Sequence, residues 1–189
     1  MAKRKRASGL VPHPRYGAES VASGEGLSEA TVRASYWGYH DAVLYPESAI
    51  VADWRRQNFS TFPRGTYVDL RERCRDCGRE FLFFAREQKH WYEELGFYVD
   101  ARCVRCPACR KTEGTLRRRF TRYAEAVAKR ELDDAELLTA LGDALFVWEA
   151  GLLRDAGKLR RWKNLAVRRL PAAKVTAQLV ATVASLRSA

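Results

Sequence analysis

The chain has 189 residues, 47% of them apolar, with five cysteines and a formal net charge of +11. That length suits one domain or a small module wrapped by helices, and the apolar content is enough for a core. No apolar run approaches the roughly 18 to 20 residues that cross a bilayer, and none follows Met1-Ala-Lys-Arg-Lys-Arg6 to make a signal peptide, so the expectation is a soluble cytoplasmic protein.

The first 30 residues read as a basic, partly flexible N-terminal arm containing Lys3-Arg4-Lys5-Arg6, Pro12 and Pro14. Ser28 suits the N-cap of a short helix with Glu29 in its first turn, and Tyr36, Trp37 and Tyr39 add aromatic mass. Residues 31–66 are expected to be a connector, irregular from residue 41 onward, with Pro46 and Pro63 and a helical turn around Ala49 to Arg56. Its Tyr45, Trp54, Phe59 and Phe62 should pack on the module that follows, since burying one aromatic is worth about 2 to 3 kcal/mol.

Residues 67–111 hold every cysteine, as Cys74-Arg-Asp-Cys77-Gly78 and Cys103-Val-Arg-Cys106-Pro-Ala-Cys109, with 25 cysteine-free residues between the two groups. Two CxxC pairs separated by about 15 to 25 residues set four thiolates around zinc at about 2.3 Å. The odd count and the missing leader argue against disulfides. A redox CxxC opens a helix, whereas Cys77-Gly78 leads into Glu80-Phe-Leu-Phe-Phe84, which has the composition of a strand. The expected cofactor is one structural Zn2+.

Thr66 to Leu70 is the expected entry strand and Cys74 to Gly78 the knuckle, with Gly78 at positive φ turning its amide toward the sulfurs. Ala85 to Leu95 carries Gln88, Trp91, Tyr92 and Leu95 at helical spacing, stopped by Gly96, with Phe97 as the following contact. Zinc takes four protein ligands in a closed site and five cysteines are present. Distance from Cys77 selects Cys103 and Cys106. Local pattern selects Cys106 and Cys109, because Pro107 suits the first turn of a helix and puts both thiols near its positive end. Cys74, Cys77 and Cys106 enter either set; Cys109 is favoured as the fourth, with Cys103 as the alternative.

Residues 112–189 form the expected helical C-terminal region. A capping box, Asp133 to Glu136, opens a helix in which Leu138, Leu141, Leu145, Trp148 and Leu152 make a stripe expected to be buried. Residues 154–169 hold seven bases and one acid around Trp162 and Leu165, Pro171 breaks the helix, and Val175, Leu179, Val183 and Leu186 pattern a last one.

The cysteine block resembles a bacterial family of uncharacterised zinc-ribbon proteins with a treble-clef zinc-binding domain. The matching residues are Cys74-Arg-Asp-Cys77-Gly-Arg-Glu-Phe81, Glu87-Gln88, Trp91-Tyr92, Gly96-Phe97 and Arg105-Cys106-Pro-Ala-Cys109-Arg110. Longer members share the Pro12-His-Pro-Arg-Tyr16-Gly17 and Gln57-Asn-Phe-Ser-Thr-Phe-Pro63 stretches. The resemblance implies zinc and a treble-clef topology, and no activity, because the family has no settled one. The expected fold is therefore α+β: a small treble-clef or zinc-ribbon module with a short β-hairpin, then a mostly α-helical C-terminal region.

Catalysis is not expected. Of the three histidines, His13 lies in the arm, His40 stands beside Asp41, and His90 is four residues before Glu94, an ion-pair spacing. Nuclease treble clefs need a histidine and a second polar ligand in the hairpin, and no such pair lies between Cys77 and Cys103. Glu93 and Glu94 are adjacent and point about 100° apart on a helix, so they cannot act as a facing pair. Neither phosphate-binding glycine pattern nor a Gly-x-Ser-x-Gly elbow is present, and no small-molecule substrate or membrane partner is expected.

Charge supplies the functional expectation. Residues 1–18 carry five bases and no acid, residues 19–101 an excess of four acids, and residues 102–189 an excess of ten bases. Such a basic end attracts nucleic acid, through Arg102, Arg105, Arg110, Lys111, Arg117, Arg118 and Arg119 on or just after the zinc helix. The alternative is a protein-interaction adaptor whose arginines only solvate helices.

Overall fold

The computed structural model describes residues 9–36, 38–39 and 42–186. Lys3 to Arg6, Trp37, His40 and Asp41 lie outside them. The chain divides into two compact units, 1–111 and 112–189.

The first unit is built on a three-stranded antiparallel sheet, β1 (Val43–Val51), β2 (Thr66–Arg73) and β3 (Glu80–Phe83), in the order β1-β2-β3. Helix α1 (Glu29–Ser35) precedes it, started by Ser28, whose hydroxyl accepts from the Thr31 N–H. Thr66 to Leu70 of the central strand are all buried, so both faces of β2 are covered.

The irregular connector expected before the zinc module is instead an edge strand. Tyr45 faces Asp69 and Ile50 faces Tyr67, so four residues of β1, including Pro46, bulge against a single residue of β2. An edge position with a bulge is where a strand tolerates a proline that donates no ladder hydrogen bond. The helical turn shrinks to a 3-10 turn at Trp54–Arg56. Trp54 and Phe62 are exposed rather than packed, while Phe59 does pack on the core. Ala49, Ala52, Val32 and Tyr36 provide the burial instead.

The N-terminal arm is docked from Val11 onward. Val11 is buried and its N–H donates to the Glu80 carbonyl at 2.8 Å, adding a bridge at the free edge of β3. His13 and Gly17 exchange two backbone hydrogen bonds, and the His13 ring stacks on Tyr16. Its Nδ1 accepts from the N–H groups of Arg15 and Tyr16, which places the ring proton on Nε2, 3.4 Å from Glu87.

After β3 come α2 (Ala85–Lys89) and a π-helical segment, His90–Glu94. Gln88, with no exposed surface, accepts from the Tyr36 hydroxyl at 2.6 Å and donates to the Val68 and Phe83 carbonyls. Asp69 is likewise buried, accepting from the Ala85 N–H and the Ser20 hydroxyl. Arg64 is buried over the rings of Tyr36, Tyr39 and Tyr92, at 4.4, 5.0 and 6.0 Å. It bonds the Val99 carbonyl and Asp100. Burial of Tyr36 raises its phenol to about 12, and burial likewise pushes up those of Tyr67 and Tyr92.

Helix α3 (Pro107–Ala128) begins in the first unit and runs into the second. The second unit adds α4 (Asp134–Glu149), α5 (Ala156–Arg169) and α6 (Lys174–Ser185). The capping box of α4 forms in full, Asp133 accepting from the Glu136 N–H and Glu136 from the Asp133 N–H. Its far end closes as a Schellman motif: Gly151 at φ +73° donates to Trp148 and Leu152 to Val147. The stripe expected to be buried is rotated. Leu141 and Leu145 are buried with Leu137, Ala140 and Ala144, whereas Leu138 and Leu152 are exposed. Leu159, Ala166, Leu179 and Val183 complete this core, with Val175 and Leu186 packed at its edge. Inside it lies Asp143, accepting from Arg119 at 2.6 Å and from Arg122 at 2.8 and 2.9 Å. Burial alone would raise the Asp143 pKa, but the Arg122 and Arg119 hydrogen bonds outweigh it and hold the carboxyl below its ordinary value.

Candidate metal centre

The hairpin turn between β2 and β3 is the first half of the site. Cys74 follows the last residue of β2, and its N–H donates to the Arg79 carbonyl at 2.8 Å. Gly78 sits at φ +69°, a conformation that favours glycine, and its N–H donates to the Cys74 carbonyl rather than turning to a sulfur. Backbone N–H groups of Cys106, Cys77 and Asp76 act on the Cys74 sulfur instead: burial would raise this thiol, and they bring it down to about 6.

The second half is the start of α3. Pro107 opens the helix, putting Cys106 just before it and Cys109 in its first turn. The Sγ atoms of Cys74, Cys77, Cys106 and Cys109 all lie within 4.8 Å of one another. The Cys77 and Cys106 sulfurs are 3.8 Å apart, the edge of a tetrahedron whose centre is about 2.3 Å from each corner. Four soft thiolates at that size fit zinc. Cys103 stands outside the cluster: it is buried, its thiol donates to the Arg105 carbonyl at 3.4 Å, and burial pushes its pKa up to about 12.

The two halves are tied by a clamp that the residue pattern did not explain. Arg110, one residue past Cys109, donates to Glu87 of α2 at 2.6 Å and lies over the Trp91 ring at 5.1 Å. Glu87 is buried and also faces Nε2 of His13 in the arm, so arm, α2 and zinc helix meet at one carboxylate. Sequence held the signal, since Glu87, Trp91 and Arg110 all belong to the motif quoted above, but 23 residues separate the two ends of the ion pair.

The basic residues expected to bind nucleic acid divide into two groups. Arg102 pairs with Glu72 at 3.1 Å, Arg105 with Asp76 at 2.8 Å, Arg110 with Glu87 and Arg119 with Asp143. Lys111, Arg117 and Arg118 are exposed and pair with no carboxylate among the described residues. His90 bonds Glu94 at 2.7 Å, the pairing its spacing suggests.

Residues 68–118 match the model of a family described as a probable treble clef domain. No curated protein and no solved structure matches the chain. The match covers the hairpin, the knuckle, α2 and the first half of α3, which together carry the thiol cluster. This segment thus matches a probable treble-clef domain and carries a four-cysteine site that fits zinc, Cys74, Cys77, Cys106 and Cys109 all lying within it. Among the described residues no helix is long and apolar enough to cross a membrane.

Proposed function

We propose that the protein is a non-catalytic nucleic-acid-binding protein in which one structural Zn2+, held by Cys74, Cys77, Cys106 and Cys109, keeps the treble clef folded. Four thiolates fill a tetrahedral shell and leave no position for substrate or water, which supports a structural metal. The observation that carries nucleic-acid binding is the charge of α5, which bears six bases and no acid over Ala156–Arg169. Lys111, Arg117 and Arg118, which have no carboxylate partner among the described residues, add to it. Guanidinium and ammonium groups left without carboxylates suit phosphate oxygens, and give affinity that falls steeply with salt.

The adaptor is the second reading, and a different observation favours it. Leu95, Phe97 and Tyr98 are each exposed in one short stretch after the π-helical segment, an apolar surface of the kind partners cover. Salt-titrated binding of zinc-loaded protein to RNA and DNA separates the two. Submicromolar to micromolar binding at low salt that weakens at least tenfold by physiological salt supports nucleic acid. No binding at low salt overturns it in favour of the adaptor.

A further inference from the structure

Within the second unit, α5 and the end of α3 border a groove of about 630 Å3, in the range of about 300 to 1,000 Å3 typical of ligand sites. Its α5 wall is Lys158, Arg161, Trp162, Leu165, Arg168 and Arg169, an i, i+3, i+4, i+7 series that sets charge and apolar surface along one helix face. The other wall brings Tyr123, Val127 and Arg130. Six bases and one acid, Glu131, line the groove.

Those cations are not alike. Lys129 is satisfied by Glu136 at 2.6 Å, and Arg169 by Asp134 and the Leu132 carbonyl. Arg130, Lys158, Arg161 and Arg168 have no carboxylate partner among the described residues. Like charges converging on one groove repel, and an anion relieves that repulsion. The floor is aromatic: Trp162 is half-buried, tilted against Tyr123 with ring centroids 6.1 Å apart. Tyr123 is 6% exposed, and its hydroxyl has no hydrogen-bond partner among the described residues.

We infer that this groove is a nucleotide-binding subsite for single-stranded nucleic acid, with one unstacked base against Trp162, which Tyr123 backs from the core, and the flanking phosphates on Arg130, Lys158, Arg161 and Arg168. Aromatic floor and basic rim are the two components that single-strand binding combines. A duplex keeps its bases stacked and paired, so it offers the rim its phosphates but not the floor a base. The inference rests on the nucleic-acid reading above and adds where, and in which strandedness, binding occurs.

The test uses the zinc-loaded full chain with 12-mer oligouridylate, oligothymidylate and a duplex of the same length. Single strands of either sugar are expected to bind at least tenfold tighter than the duplex. Arg130→Ala/Arg161→Ala/Arg168→Ala is expected to weaken single-strand binding at least tenfold and to lower the slope of log K against log salt by about 2, at about 0.7 per phosphate contact. Removing the same charge from the first unit, with Arg55→Ala/Arg56→Ala/Arg86→Ala, should change it less than threefold. In the wild-type protein, a 5-bromouracil oligonucleotide should photocrosslink within residues 123–132 or 156–169, a readout that needs no variant to fold. Equal losses from both triple variants, equal affinity for duplex, or crosslinks elsewhere each overturn the subsite while leaving nucleic-acid binding in place. Absence of any binding by the wild-type protein overturns both.

Discussion

The two units solve the same problem with different materials. The first mixes valines and alanines with aromatic rings in its core and buries polar groups freely: Gln88, Asp69, Glu87, Glu93 and Arg64 all lie inside it, each needing a partner from another part of the chain. The second is a core of leucine, valine and alanine with Asp143 and Thr176 as its buried polar residues. A core built from hydrogen-bonded polar groups specifies one arrangement but gains little net stability from each bond, typically about 1 kcal/mol, so a unit of this kind would gain much from the proposed metal. A leucine core gains from burial directly, at about 25 cal/mol per Å2.

Removing the metal should have the largest effect and should break the comparison open. Structural zinc in small domains is worth on the order of 10 to 16 kcal/mol. Chelation, or Cys106→Ser, is therefore expected to abolish the near-ultraviolet signal and protease resistance of the first unit while the helical circular dichroism of the second persists. Cys103→Ser should keep stoichiometric zinc. Loss of zinc from Cys103→Ser and retention in Cys109→Ser would reverse the ligand assignment.

The converse substitution is Leu141→Ala, at a side chain with no exposed surface in the second unit. A cost of about 2 to 5 kcal/mol in denaturant unfolding is expected, with zinc content unchanged. Zinc loss in this variant would show that the units are not separately stabilised.

A smaller effect, with a pH signature, belongs to Asp143. Its folded pKa is depressed, so the unfolded state binds the proton more readily; the stabilisation is present above the unfolded value of about 3.9 and is lost as pH falls through the folded one. Asp143→Asn should cost about 2 kcal/mol at neutral pH, because two guanidinium groups lose their carboxylate, and should flatten the acid limb of the second unit's stability curve. Thermal unfolding across pH 2 to 7, read at the helical band, checks it.

Legibility in the sequence followed the range of the interaction that decides each element. Ser28, the Asp133 to Glu136 box, Pro107 at the start of α3 and Gly96 are local signals, and the structure carries each of them. The edge strand β1 was hidden because Pro46 and a bulge disrupt its alternation, and because what makes it a strand is its pairing with β2 some twenty residues later. The rotated face of α4 reflects packing against α5 and α6: Leu137 and Leu138 are equally apolar, and only the neighbours decide which one is buried. The thiols that cluster with Cys74 and Cys77 are those at the start of α3, since a helix start fixes Cys106 and Cys109 while loop length is free to vary. The groove on α5 was half visible: its charge and Trp162 stood out, but not which cations have carboxylate partners.

The buried tyrosines of the first unit give it an optical reporter of its own. Burial raises the phenols of Tyr36, Tyr67 and Tyr92. Their phenolate absorbance should therefore appear only as the sheet collapses in alkali, since a raised phenol pKa erodes stability as pH climbs above about 10. Removing the proposed zinc first should bring that absorbance in at lower pH, so a simple alkaline titration reads out whether the staple is in place.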